Sequence, residues 1–276
     1  MRVKERRPGD FILRFLFDVI GLESLHFGLW DGDRTRTVGA LKAAQDNYSR
    51  FLMARVPAGA KRVLDAGCGS GELSERLALA GYDVTALTPD AYLADAVTKR
   101  LGDRARFALS KFEDHEAAQP YDVIIMSESC QYMSHHLVFP RARKLLAEGG
   151  YLLISDYFRK AERAYYETAW TASEFAAKLE KSNFEVVSSE DITDATLPTL
   201  EVCKKYYGEM VLPTIELLRD LALSVIPGFV TWPIRVALNK ELALAADFLY
   251  RKQPEQFDAS EFKEHLNYRV VMLRKR

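Results

Sequence analysis

The chain has 276 residues, 48% hydrophobic and 28% charged, the balance of a globular protein long enough to bury a substantial core. Its 38 basic and 39 acidic side chains leave a formal net charge of −1, which gives no electrostatic footprint for nucleic acid and sets DNA and RNA aside as substrates. Cys68, Cys130 and Cys203 are far apart, with no Cys-x-x-Cys pair and no histidine at zinc-ligand spacing, so neither a disulfide framework nor a metal site is expected.

The N-terminus is basic (Arg2, Lys4, Arg6, Arg7). The apolar stretch from Phe11 to Ile20 is interrupted by Arg14 and Asp18 and has no small-residue cleavage site, so it does not read as a signal peptide. Phe11, Ile12, Phe15, Leu16 and Val19 share one helical face, suited to packing on the chain's own domain or to peripheral membrane contact. No run of about 18 apolar residues is free of charge, so no membrane-spanning helix is expected and the cytoplasm is the default location. Residues 1–55 read as an N-terminal helical cap, closed by the turn Pro57-Ala58-Gly59-Ala60.

From there apolar runs alternate with helical patterns, which predicts a parallel sheet with crossover helices. The predicted strands are Arg62–Asp65, Asp83–Leu87, Ala105–Leu109, Asp122–Met126, Gly150–Ser155, Phe184–Ser188 and Arg269–Leu273. Helices are predicted near Glu72–Ala80, Tyr92–Leu101, Val138–Leu146 and Ser173–Lys181, the last started by Thr171 and Glu174 at capping-box spacing. Residues 56–193 form this alternating core, and 263–276 return to it as the final strand. The interval 194–262 breaks the alternation and reads as a helical insertion. One apolar stripe in it follows Ile215, Leu218, Ala222 and Val225, another Leu238, Leu242, Ala245 and Phe248, with Pro213, Pro227 and Pro233 dividing it into short helices.

The most specific chemistry lies in residues 63–71, Val-Leu-Asp-Ala-Gly-Cys-Gly-Ser-Gly, at the turn from the first strand into the next helix. Glycines at such a turn allow positive φ and let a ligand lie on the backbone before the helix N-terminus. The pattern is Asp-x-Gly-x-Gly-x-Gly and not the Gly-x-Gly-x-x-Gly of dinucleotide-binding turns. An acid two residues before the first glycine repels a pyrophosphate and attracts an ammonium or sulfonium group. The bland alternative is a glycine-rich turn that merely packs a helix closely on a sheet.

These residues resemble motif I of the class I S-adenosylmethionine (SAM)-dependent methyltransferases, and the resemblance continues in order to about residue 190. It is nearest to the sterol, tocopherol and terpene group and the cyclopropane-synthase-like members. It implies an α/β, Rossmann-like sheet of seven strands, mostly parallel with the last antiparallel, helices on both faces, and a helical lid inserted between strands six and seven. It implies SAM as cofactor and S-adenosylhomocysteine as product. Asp65, Gly67, Cys68, Gly69 and Gly71 would hold the amino-acid end. Where most members have a ribose-binding acid this chain has Thr88, leaving the ribose to Thr88 or Asp90, with Asp90 equally a helix N-cap. Lys111, Phe112 and Glu113 would meet the adenine, and Ser127 closes the set.

Methyl transfer needs alignment and, for some acceptors, removal of a proton. Glu128, at the carboxyl end of the fourth strand, is the leading functional carboxylate outside motif I, against a purely structural contact to backbone amides. Tyr132 reads as a hydrogen-bonding residue or weak base, or as a buried aromatic of the pocket wall. His135, His136 and His26 each read as a candidate base or as an ordinary surface or capping histidine. The pair Glu128-Ser129, with Tyr132 three residues on, and the segment Asp191–Pro198 resemble the sterol and terpene group. Gln131-Tyr132 departs from the Glu-His of the cyclopropane synthases. Trp30 and Tyr48 would wall the sulfonium, or else pack in the core, and Asp156, Tyr157 and Arg159 would face the acceptor. The function implied is methylation of a small, mostly apolar metabolite, isoprenoid, lipid or polyketide-like, at carbon, oxygen or nitrogen. Methylation coupled to cyclisation, a non-catalytic SAM-binding protein and a nicotinamide-dependent oxidoreductase are the rivals.

Overall fold

The computed structural model describes residues 13–32, 35–161, 166–225 and 246–276. Seven strands form one sheet: β1 (Arg62–Ala66), β2 (Asp83–Thr88), β3 (Arg106–Leu109), β4 (Tyr121–Ser127), β5 (Leu146–Arg159), β6 (Phe184–Asp191) and β7 (Leu266–Lys275), in the order β3-β2-β1-β4-β5-β7-β6. β1 pairs in parallel with β2 and β4, and β4 with β5, whereas β7 runs antiparallel to both β5 and β6. All seven predicted strands are present. β5 begins at Leu146 and not Gly150 because Leu146 pairs with Tyr121 before a register shift, and the helix predicted to reach Leu146 stops at Leu145.

Side chains alternate across the sheet. Leu64, Ile124, Leu152 and Leu273 pack with Phe139, Trp170 and Phe175 on one face, and Val63, Val123, Leu153 and Met272 with Tyr48, Leu77 and Phe262 on the other. Five helices flank the sheet, α1 (Val38–Met53), α2 (Glu72–Leu79), α3 (Ala91–Leu101), α4 (Val138–Leu145) and α5 (Ala172–Glu180). α1 buries Leu41, Ala44, Tyr48 and Leu52, one stripe at helical spacing, and starts on Thr37, whose side chain accepts from the Ala40 N–H. α5 starts as its spacing predicts, with Thr171 Oγ1 accepting from the Glu174 N–H at 3.1 Å.

Between β6 and β7 the described residues are helical except at Ile192, Phe257 and Asp258. α6 (Thr193–Tyr206) contains Pro198 in its second turn and runs without interruption through a π-helical turn (Tyr207–Val211) into α7 (Leu212–Val225), so Pro213, in the first turn of α7, does not make the expected break; α8 (Ala259–His265) starts on Asp258. The stripe on α7 is not buried among the described residues, with Leu218 and Val225 both exposed. Leu238, Leu242, Ala245, Pro227, Pro233, Phe11, Ile12 and the basic N-terminal residues lie outside the described residues, and of Ala222 and Phe248 only the backbone is described. Among the described residues no helix is long and apolar enough to cross a membrane.

Candidate active site

The carboxyl ends of β1, β2 and β4, with the turns that follow them, enclose a cleft of about 460 Å³. The topology explains its place: adjoining parallel strands feed helices on the two faces, which leaves a crevice beyond their carboxyl ends. Asp65, Gly67, Cys68, Gly69, Thr88, Asp90, Lys111, Phe112, Glu113, Ser127, Glu128 and Tyr132 all line it. Gly71 and His135, also predicted for it, do not. A larger cavity of about 830 Å³, lined by Trp30, Lys160, Asp191 and Asn267 among others, contains none of the motif residues.

The three glycines have three different jobs. Gly67 (φ +88°) is crowded by Ser129, and its N–H and that of Cys68 both donate to the Leu87 carbonyl, so these N–H groups are spent within the fold. Gly71 (φ +80°) starts α2 against Val97. Gly69 (φ +54°) has nothing within 4 Å of where a Cβ would sit, so the cleft opens over its backbone. Asp65 is fully buried at the cleft floor. Ser74 Oγ donates to its Oδ2 at 2.5 Å, and burial pushes its carboxyl up to about 6. Among the described residues no basic side chain pairs with it, so a cationic group entering the cleft would meet an uncompensated carboxylate. The open backbone at Gly69 beside this acid fits the amino-acid end of SAM.

Asp90 caps α3, its Oδ1 accepting from the Tyr92 N–H at 2.9 Å, and Thr88 Oγ1 accepts from the Asp90 N–H at 3.2 Å. The cap and the cleft lining are therefore both present in these two residues. Phe112 is buried and Lys111 exposed. Glu113 Oε1 accepts from the Ser134 N–H at 2.6 Å, fixing the turn after β4 over the cleft.

Glu128 has φ +49°, uncommon for a residue with a side chain. Its N–H donates to the Ser155 carbonyl at 2.8 Å, and its Oε1 accepts from the Phe27 N–H at 2.6 Å and the Tyr268 hydroxyl at 2.7 Å. Both donors thus act on one carboxylate oxygen. Burial pushes this carboxyl up to about 8, the two donors pull against that, and Asp156 adds to the rise. Asp156 is itself raised to about 7 by burial, and its oxygens accept from the N–H of Gln131, the Gln131 amide and the N–H of Tyr157. It braces the turn after β4. Tyr157 is buried among Phe27, Phe262 and Tyr268, and Arg159 donates to the Ala169 carbonyl, so none of the three lines the cleft.

Tyr132 stands on the cleft rim. Most of its side chain is exposed, so it is not a buried pocket wall; desolvation at the rim and the carboxylates of Glu128 and Asp156 push its pKa up, which leaves it a donor and not a base near neutrality. His135 lies outside the cleft: it stacks on Trp170 at 4.1 Å, with Nδ1 3.2 Å from a Glu174 carboxylate oxygen. His136 is beside Lys178 on the same outer surface. His26 does line the cleft; its Nδ1–H donates to the Phe27 carbonyl at 2.7 Å, and burial lowers its pKa. Trp30 donates to Thr199 away from the cleft, and Tyr48 is buried beneath His26, so both belong to the packing alternative.

Phe27 and Tyr268 were not legible from the sequence as site residues. Phe27 acts through its backbone N–H, which any residue possesses, and Tyr268 reaches Glu128 across 140 residues of chain. The remaining signal is a tyrosine two residues before the apolar run Val270–Leu273 of the final strand.

Against known proteins, a family model described as a methyltransferase domain matches residues 39–189. The chain is 26% identical to a 27-O-demethylrifamycin SV methyltransferase of Amycolatopsis mediterranei over 230 residues, 73% of this chain and 82% of that protein. It is 32% identical to a ubiquinone biosynthesis O-methyltransferase of Xanthomonas campestris pv. campestris over 157 residues, 54% of this chain; there it spans 64%, less than two thirds, of the relative's length. A geranyl diphosphate C-methyltransferase of Streptomyces coelicolor, solved with S-adenosyl-L-homocysteine, has the same fold at a TM-score of 0.67 and 17% identity, covering 98% of each chain. The [4+2]-cyclase SpnF shares it at a TM-score of 0.68 and 16% identity, covering 96% of this chain and 93% of its own.

Proposed function

Since the chain belongs to the methyltransferase-domain family and is a SAM-dependent methyltransferase, we propose that it methylates a hydroxyl group on a small, mostly apolar molecule of isoprenoid, lipid or polyketide-like character. Glu128 carries this reading. It is a cleft carboxylate with Oε1 engaged by two donors and, among the described residues, no protein donor on Oε2. A carboxyl raised to about 8 is matched to taking a proton from a phenol or enol as the oxygen is methylated. Of the rifamycin and ubiquinone relatives, the second is an O-methyltransferase by name and the first is named for a 27-O-demethyl acceptor, which favours oxygen over carbon or nitrogen.

SAM, when bound, supplies the methyl group from a sulfonium whose departure needs no acid. The chain's own residues then have three tasks. Asp65 and the open backbone at Gly69 hold the amino-acid end; Thr88 with Asp90 faces the ribose; Phe112, with Lys111 and Glu113, faces the adenine; and Ser127 borders the transfer region. Glu128 takes the acceptor's proton. Residues 1–55 act as a cap and 194–262 as a lid that excludes water, a role supported by Thr199 of α6, which binds the Gly28 N–H and the Trp30 indole. The three free cysteines suit a reducing compartment, and we read the protein as cytoplasmic.

The test is incubation with methyl-labelled SAM and a panel of alkylcatechols, prenylated phenols and long-chain amines, with products identified by mass spectrometry. Label on a phenolic oxygen is expected. Glu128→Gln should keep SAM binding by calorimetry and lose turnover by about 10²–10⁴-fold. Label on nitrogen or carbon overturns the hydroxyl assignment, and full turnover by the variant removes Glu128 from the reaction.

A further inference from the structure

Four hydroxyl groups from four separate elements meet behind Glu128. Tyr48 Oη of α1 lies 2.7 Å from Ser155 Oγ of β5, 2.8 Å from Tyr268 Oη of β7 and 3.1 Å from Ser127 Oγ of β4, and Tyr268 donates onward to Glu128 Oε1 at 2.7 Å. Tyr268 is wholly buried and held from every side. Its N–H donates to Thr193 Oγ1 at 2.9 Å, its carbonyl accepts from the Ile192 N–H at 2.9 Å, and its ring packs edge-on against Tyr48 and Phe27. A phenol that needed only a partner for its own hydroxyl would be satisfied by Tyr48. Its further bond to the cleft carboxylate calls for a separate explanation.

We propose that Tyr268 is the positioning residue of methyl transfer, clamping Glu128 Oε1 from the rigid sheet so that Oε2 remains for the acceptor's proton. The proposal rests on Glu128 acting as the base. The second donor on Oε1, the Phe27 N–H, comes from a segment with no regular structure, so β7 supplies the one contact anchored in the sheet. Tyr48 serves as the backstop: its ring packs edge-on against Tyr268, and its single hydroxyl proton goes either to Ser155 Oγ or to Tyr268 Oη. The titratable groups facing Glu128 are Asp156 on β5, Tyr157 beside it, Tyr132 on the rim, Tyr48 on α1 and Tyr268.

Tyr268→Phe keeps the ring and removes only the donor. In full-length protein labelled with ¹³C at the glutamate carboxyls, the Glu128 signal, assigned by its loss in Glu128→Gln, should titrate at higher pH in Tyr268→Phe than in the unaltered protein. Turnover of an alkylcatechol should fall by about tenfold or more with the acidic limb of its pH profile moved the same way, while SAM affinity stays unchanged. Tyr48→Phe should shift the signal in the same direction by less, and carries the test if Tyr268→Phe does not fold. An unmoved Glu128 titration in the folded variant, or an unmoved pH limb, overturns the proposal while leaving Glu128 as base. Full activity of Glu128→Gln overturns the base assignment first and the clamp with it.

Discussion

Ser129 occupies the space that a side chain on Gly67 would need: a Cβ on Gly67 would lie 2.3 Å from Ser129 Cβ and 2.8 Å from its Oγ. Ser129 is held there by donating to the Ala66 carbonyl at 2.6 Å, which ties the turn after β4 to the turn after β1. Gly67→Ala must therefore push apart the two turns that frame the cleft, at positive φ as well, and should cost about 2–4 kcal/mol with a clear drop in melting temperature. Gly69→Ala meets no atom within 4 Å and should cost only about 1 kcal/mol. Its methyl group would instead project into the cleft and weaken SAM binding. Thermal melts paired with SAM titration separate the two, and equal melting temperatures would contradict the contrast.

Thr199 Oγ1 accepts from both the Gly28 N–H at 3.1 Å and the Trp30 indole N–H at 2.9 Å. Thr199→Val keeps the shape of α6 and leaves both buried donors without their acceptor, at about 1–3 kcal/mol each. The loss should appear as faster hydrogen exchange across residues 22–32, with the sheet protected as before. Exchange unchanged in that segment would mean that other contacts hold it.

The inner strands were legible because each carries its own signal: runs such as Val63-Leu64 and Val-Ile-Ile-Met are apolar on both faces and are bounded by turns. Asp65 and the glycines were legible because a spacing of a few residues is local. The partners of Glu128 were not, since Phe27 and Tyr268 meet it only once β7 has been inserted between β5 and β6 and the N-terminal segment laid across the strand ends. His135 misled for a related reason. It lies only seven residues after Glu128 in the sequence, but the turn braced by Asp156 leaves it outside the cleft, stacked on Trp170.

His135→Gln should accordingly leave SAM affinity and methyl transfer close to those of the unaltered protein. The lost stacking on Trp170 and contact with Glu174 should lower stability by about 1 kcal/mol. A large fall in kcat at constant SAM affinity would return His135 to the chemistry.

Three buried carboxyls give stability an unusual pH dependence. Burial raises Asp65 to about 6, Asp156 to about 7 and Glu128 to about 8, all above their unfolded values near 4. Between those limits the folded protein retains protons that the unfolded chain has lost, so these groups lower stability as pH rises and stop doing so above their folded pKa values. His26 acts oppositely: its lowered pKa makes the folded protein lose stability as pH falls below about 6.5. Above about pH 7 the carboxyls dominate, and the ligand-free protein should unfold at lower urea concentration near pH 8.5 than near pH 7. Glu128→Gln should flatten most of that slope, because Asp65 is already ionised there. Bound SAM should stabilise more strongly as pH rises through about 6, since its ammonium favours the charged form of Asp65. A urea midpoint that rises from pH 7 to 8.5 in the ligand-free protein would show that these carboxyls are better solvated than their burial implies.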